Sequence, residues 1–269
     1  MEKEWIYKEQ RNQIVVKSND LIQKTRFTLN TEQQKLILYL ISKIKPTDTE
    51  FQSYEFTVVD YLKIIGNSKG GETYKTIKES LKVLADKSMW IYNEQNEHVL
   101  VRWLQNLKIN EQTGIITIRL DEELKPYLLQ IKDKYTQYEL IYTFSLKSKY
   151  SIRAYEYFNS KHYNKSIPYT FTISLNEFKQ RVGAENYTVY RDLKRRVINP
   201  IVEELNAYTD KNIKIEPIIT GRKTTDLQIT INTKGLIERM EILSQIEQRF
   251  DNNQISLYDV CAEIAEGVE

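Results

Sequence analysis

Residues 174–206 read SLNEFKQRVGAENYTVYRDLKRRVINPIVEELN. Ser174 and Glu177 have the spacing of a helix start, where the hydroxyl takes the amide three residues on and the acid faces back to the cap. Gly183 then stands where a helix C-terminus needs positive φ. A second helix is expected over roughly residues 187–206. At about 100° per residue, Tyr190, Leu193, Val197, Ile201 and Leu205 share one apolar face. Thr188, Asp192 and Arg195 fall on the other side, with Arg191 and Arg196 flanking. Lys194 lies at the edge of the apolar face, where a lysine stem can snorkel. Cations therefore fill the opening turns of a helix whose remainder reads as core. Pro200 has no N–H to give and predicts a kink or loosening near Val197.

Working outward, a long amphipathic segment (145–163, SLKSKYSIRAYEYFNSKHY) and a β-like run (169–173, YTFTI) precede this stretch. Two more β-like runs follow it, IKIEPII (213–219) and DLQITI (226–231), joined by TGRKTT (220–225). Helix, strand, helix, glycine turn, helix and hairpin is the order of a winged helix-turn-helix. The first half of the chain repeats that order. LNTEQQKLILYLISKI (29–44), with Thr31 and Gln34 spaced as a capping box, leads to YEFT (54–57). A helix starting at Thr57 and Asp60 follows, then Gly66, a helix over 72–87, and the runs MWIY, HVLVRWL and GIITIRL. Leu29, Thr57 and Gly66 recur as Leu146, Ser174 and Gly183, each 117 residues later.

The expected fold is α+β: two tandem winged-helix domains related by internal duplication. Residues 1–26 are expected as an N-terminal extension, 27–135 as the first domain, 145–235 as the second, and 236–269 as an acidic helical segment packing through Leu236, Ile237, Met240 and Leu243.

The net charge is only +2, but its distribution is uneven. Residues 145–235 hold 16 basic and nine acidic side chains, whereas residues 236–269 hold two and eight. A basic module before an acidic tail points to a polyanionic partner. Catalytic constellations are wanting. His98 and His162 are isolated, so neither a metal site nor the histidine pair of a metal-dependent DNA nickase is expected. With 19 tyrosines, no single one stands out as a nucleophile. GNSKGGET (66–73) lacks the Gly-Lys-Ser/Thr ending of a phosphate loop and reads as the turn of the first helix-turn-helix. The lone Cys261 excludes an internal disulfide and suits a reducing cytoplasm. No membrane span or signal peptide is expected, and neither an enzyme nor a cofactor.

Major-groove readers use the N-terminal turns of the second helix and pack its C-terminal turns into the domain. Thr188, Arg191, Lys194, Arg195 and Arg196 are the candidate readers, and Arg222 and Lys223 stand at the tip of a wing that would reach phosphate or minor groove. In the first domain Lys69, Lys75, Lys78 and Lys82 surround the equivalent helix, with no arginine among them. Lysine suits phosphate, while the arginine fork can read guanine bidentately. Base reading is thus assigned to the second module and backbone contact to the first. VLVRWLQNL (99–107) is apolar on both strand faces, as buried core strands and interfaces are.

DLKRRVINPIVEELN followed by ITGRKTTDLQITI, with KSNDLIQKTRFTLNTEQQKLILYLIS (17–42) before them, resembles the iteron-binding initiators of theta-type plasmid replication over roughly 15–235. The resemblance implies a cytoplasmic bacterial protein that binds repeated origin sites as a monomer, melts an AT-rich element and recruits the host initiator and replicative helicase. It also implies a dimer that represses its own gene, a base-reading second module, and a first module that contacts backbone and dimerises. A two-module repressor without initiator activity is the alternative.

Overall fold

The computed structural model describes residues 2–66, 71–92, 97–162 and 166–252. Lys69 and Cys261 lie outside these. The N-terminal part comprises α1 (Glu2–Arg11), β1 (Ile14–Ser18), α2 (Asn19–Gln23) and β2 (Thr25–Arg26). The first module continues with α3 (Thr31–Ser42), β3 (Tyr54–Thr57), α4 (Val58–Ile64), α5 (Gly71–Asp86), β4 (Ser88–Tyr92), β5 (His98–Arg102), β6 (Leu104–Ile109) and β7 (Ile115–Leu120). A 3-10 turn (Glu122–Leu124) and α6 (Lys125–Leu128) lead to β8 (Tyr135–Glu139) and α7 (Leu140–Ser145). The second module holds α8 (Lys149–Lys161), β9 (Tyr169–Ser174), α9 (Leu175–Val182), α10 (Tyr190–Leu193), a π turn (Lys194–Ile198), α11 (Asn199–Tyr208), β10 (Lys211–Thr220) and β11 (Lys223–Thr233). α12 (Leu236–Asn252) follows.

The duplication is visible in the sheets. Strand order β3-β7-β6 in the first module matches β9-β11-β10 in the second. The first module carries one addition, a hairpin β4–β5 that joins β2 in a separate three-stranded sheet. Local signals explain the shared skeleton. The Thr57 hydroxyl accepts the Asp60 N–H at 3.0 Å and the Ser174 hydroxyl accepts the Glu177 N–H at 3.2 Å, starting α4 and α9. Gly66 and Gly183 adopt φ of +63° and +75°, the left-handed region that glycine reaches without steric cost.

One cap differs from the sequence reading. The box at α3 is Asn30 with Gln33, bonded reciprocally at 2.8 and 3.1 Å, one residue before the Thr31–Gln34 spacing. Thr31 and Gln34 are committed elsewhere. The Thr31 hydroxyl donates to the Lys147 carbonyl, and the Gln34 amide donates to the carbonyls of Leu29 and Lys149.

Those bonds belong to a junction with approximate two-fold symmetry. β1 and β8 pair antiparallel about Val16 and Gln137, and each strand leads through a short helix to the long helix of its module. Lys35, the fifth residue of α3, donates to the Phe144 carbonyl at 2.8 Å. Arg153, the fifth residue of α8, donates to the Phe27 carbonyl at 3.0 Å. Phe27 and Phe144 are themselves separated by the 117-residue repeat, so each module makes to the other the contact it receives. At the same junction the Lys17 ammonium lies 2.7 Å from Glu156, whose carboxylate also accepts the Tyr138 hydroxyl at 2.6 Å.

Of the segment expected as an acidic helix, α12 covers Leu236–Asn252 and residues 253–269 lie outside the described residues; the packing face of α12 is not the expected one. Leu236, Ile237 and Met240 are exposed and Leu243 is half-buried, while Ile242, Ile246 and Phe250 are buried. The later turns meet α11, α1 and the turn at Gly66. Arg11 donates to Glu247 (2.9 Å) and to the Lys63 carbonyl (3.1 Å), and its guanidinium lies over the Phe250 ring. The Phe250 ring in turn sits against Gly66.

Candidate nucleic-acid interface

The second helix-turn-helix is assembled from short-range forces. Ser174 caps α9, Gly183 ends it, and the chain turns through Ala184 and Tyr187 into the N-cap Val189. The Glu177 carboxylate bonds Arg181 at 2.9 Å, so this cap is one-sided. Thr188 lies before the helix, exposed, and not on it. Val189 takes the N-cap with no side-chain bond to offer, and the helical turns open at Tyr190.

Leu193, Val197, Ile201 and Leu205 are all buried, together with Ile198. Full burial of such side chains contributes about 1.5–3 kcal/mol each. That far exceeds the roughly 0.5–1.5 kcal/mol of the single backbone bond that Pro200 cannot make. The helix therefore continues through the proline. It does so by widening. The Asn199 N–H reaches the Lys194 carbonyl five residues back, and Lys194–Ile198 form a π turn that relieves the ring's approach to the Arg196 carbonyl.

The cations ride on and just before this widened turn. Arg191, Lys194, Arg195 and Arg196 are all exposed, Lys194 included. Arg195 pairs with Asp192 at 3.3 Å on the same face.

The wing follows the helix. β10 and β11 are joined by Gly221 and Arg222, with positive φ at the glycine and not at the arginine, the pattern of a type II′ hairpin turn. Arg222 and Lys223 are exposed at the tip. A register shift between Ile218 and Ile219 bends the ladder just below it. Pro217 sits in β10, the edge strand, where a missing donor is tolerated.

The first module presents a different surface. Lys75 and Lys82 on α5 are exposed. Lys78 is not free: it pairs with Glu111 at the tip of the β6–β7 wing. The pairing of Lys78 with Glu111 and the placement of the added hairpin beside β2 escape a reading of the sequence, since each joins residues far apart in the chain. In the hairpin, Val101 is buried with Trp103, whereas Leu100 and its cross-strand partner Trp90 are 54% and 45% exposed. Leu104 is buried because the chain has by then crossed into the wing sheet.

Among the described residues no group of three His, Cys, Asp or Glu side chains is placed to hold a metal ion. His162 is buried, with Nε2 2.8 Å from the Ile167 carbonyl. Burial, reinforced by neighbouring carboxylates, raises the Tyr61, Tyr138 and Tyr155 phenols well above 10, opposite to what a phenolate nucleophile needs. No described helix is long and apolar enough to cross a membrane.

Comparison with known proteins agrees with this architecture. Residues 14–159 match the family described as Initiator Replication protein, WH1, and residues 174–231 match Initiator Rep protein, WH2. A replication initiation protein of Escherichia coli is 27% identical over 251 residues, covering 91% of this chain and 75% of that protein. The crystal structure of Pi initiator protein in complex with iteron DNA superposes with a TM-score of 0.68 at 16% identity, covering 83% of this chain and 98% of the other.

Proposed function

Because the chain belongs to the initiator replication protein family, whose first winged-helix model alone spans more than half of it, we propose that it initiates plasmid replication by binding repeated duplex sites at an origin. On this reading Arg191, Lys194, Arg195 and Arg196 enter the major groove, with Thr188 at the helix entrance, and Arg222 and Lys223 follow the adjacent backbone. The observation that carries it is the exposure of all four helix cations on the opening turns of a helix whose other face is anchored in the core. Lys75 and Lys82 supply backbone contact from the first module, and Lys69 is assigned with them from sequence alone. The protein works in the bacterial cytoplasm with the host initiator and replicative helicase.

Binding-site selection from a random duplex library tests this directly. One extended motif, recurring as direct repeats beside the gene, is the expected result; recovery of no motif would remove base reading from this helix. On the selected site, Arg195→Ala should cost about 1–3 kcal/mol while leaving random duplex nearly unaffected, as loss of a bidentate base contact does. Titration of both duplexes with wild type and variant checks it.

Self-repression calls for a dimer, and the added hairpin offers the surface. β5 is the open edge of its sheet, and Trp90 and Leu100 stand side by side on its exposed face. Paired apolar side chains beside an unpaired strand edge suit addition of a second copy. Leu100→Glu should leave the circular dichroism spectrum unchanged and shift sedimentation equilibrium to monomer. A wild-type protein that stays monomeric across micromolar concentrations would remove this interface.

A further inference from the structure

The two wings of the duplicated fold carry opposite charge at their tips. The second presents Arg222 and Lys223, whereas the first, Asn110 to Gly114, presents Glu111 and no cation. That tip is well fixed. The Asn110 side chain accepts the N–H groups of Gln112 and Thr113 at 3.0 and 3.1 Å, and its backbone carbonyl accepts the Gly114 N–H at 2.8 Å. Gly114 closes the turn at φ +67°.

The fixed turn aims Glu111 at α5, the helix that corresponds to the second module's reader. Its carboxylate takes the Lys78 ammonium directly. The lysine is the more covered partner, with 17% of its side chain exposed against 64% for the glutamate. The hydrogen bond from Lys78, with Lys82 assisting, holds the Glu111 carboxyl below its ordinary value, so it stays ionised at neutral pH. A carboxylate hydrogen-bonded to a lysine occupies the place a DNA phosphate oxygen would take.

We propose that Glu111 is an internal substitute for a backbone phosphate, which withholds Lys78 from DNA and limits the first module's electrostatic affinity. This rests on the DNA-binding reading above and revises the role of one residue within it: Lys78 contributes no phosphate contact while Glu111 is present. A cation already neutralised releases no counterion on binding. The first module then grips duplex with Lys75 and Lys82, and less of the protein is held on unrelated DNA.

The test compares wild type, Glu111→Gln, Lys78→Ala and the double variant on selected and random duplex, by fluorescence anisotropy over about 50–250 mM salt. Both side chains sit at the surface, where an ion pair adds little to folding, so each variant should fold. Glu111→Gln is expected to steepen the slope of log affinity against log salt by about 0.9, and to tighten both duplexes roughly fivefold at 0.15 M salt. The double variant is expected to match wild type in slope, because the second substitution removes the very cation that the first sets free.

Three results would overturn the assignment. One is an unchanged slope in Glu111→Gln. Another is a double variant as tight as Glu111→Gln, which would place the effect in charge alone and not in Lys78. The third is a double variant whose slope falls about 0.9 below wild type, which would mean Lys78 already meets phosphate. Failure of the underlying reading shows separately, in wild type alone: a protein with no salt-dependent duplex binding would remove both.

Discussion

Lys17→Met should destabilise the protein by about 3–5 kcal/mol, the cost of leaving one member of a buried ion pair without its partner. Lys17 and Glu156 are both buried, with 2.7 Å between ammonium and carboxylate. Removing the ammonium leaves the carboxylate the Tyr138 hydroxyl at 2.6 Å and the more distant charge of Arg153. The pair also joins β1 to α8, elements of different modules, so the loss falls on the junction as well as on the fold. Urea unfolding of the variant measures the cost. Replacing both partners, Lys17→Met with Glu156→Leu, should recover most of it, because apolar residues of similar volume carry no desolvation penalty. Two single variants that each cost under about 1 kcal/mol would show that the pair is solvated and contributes as a surface pair does.

Gly66→Ala should be nearly as damaging, for two separable reasons. A side chain at φ +63° costs roughly 1–2 kcal/mol in left-handed backbone. The new Cβ would also lie 2.0 Å from Cδ1 of Phe250, so the ring must leave its site. Displacing a buried phenylalanine forfeits about 1.5–3 kcal/mol, for a total of roughly 2.5–5 kcal/mol. A double-mutant cycle separates the parts. In a Phe250→Ala background the glycine substitution should cost only the backbone contribution. An equal cost in both backgrounds would mean that the ring moves aside freely.

The duplicated skeleton is legible in the sequence because its marks are local. A hydroxyl three residues before an acid, a glycine after a helix and an apolar stripe at helical spacing each act within one or two turns, and each recurs in both halves. Pro200 signals the right kind of event, since the helix loosens there; that it loosens as a π turn follows from four buried side chains anchoring both sides. The cap of α3 lies one residue from its expected place because Thr31 and Gln34 serve the other module, a demand invisible from either side chain. The same limit hides the Lys78–Glu111 pair and the β1–β8 ladder. In α12 the apolar stripe misleads differently: a helix wheel says which residues share a face and not which turns will meet a neighbour. Leu236, Ile237 and Met240 share a face that stays exposed.

The β1–β8 ladder has a consequence for direction. A two-fold axis relates its halves as equals, and the β1–β8 ladder, antiparallel about Val16 and Gln137, sets the two copies of the fold against each other and not one behind the other. The two halves are not equal, however: arginines lead in one and lysines in the other. The protein would thus sit on its site in one orientation only, with a defined front and back. An array of such sites laid in the same sense would line up its occupants head to tail, and that gives an origin a left and a right.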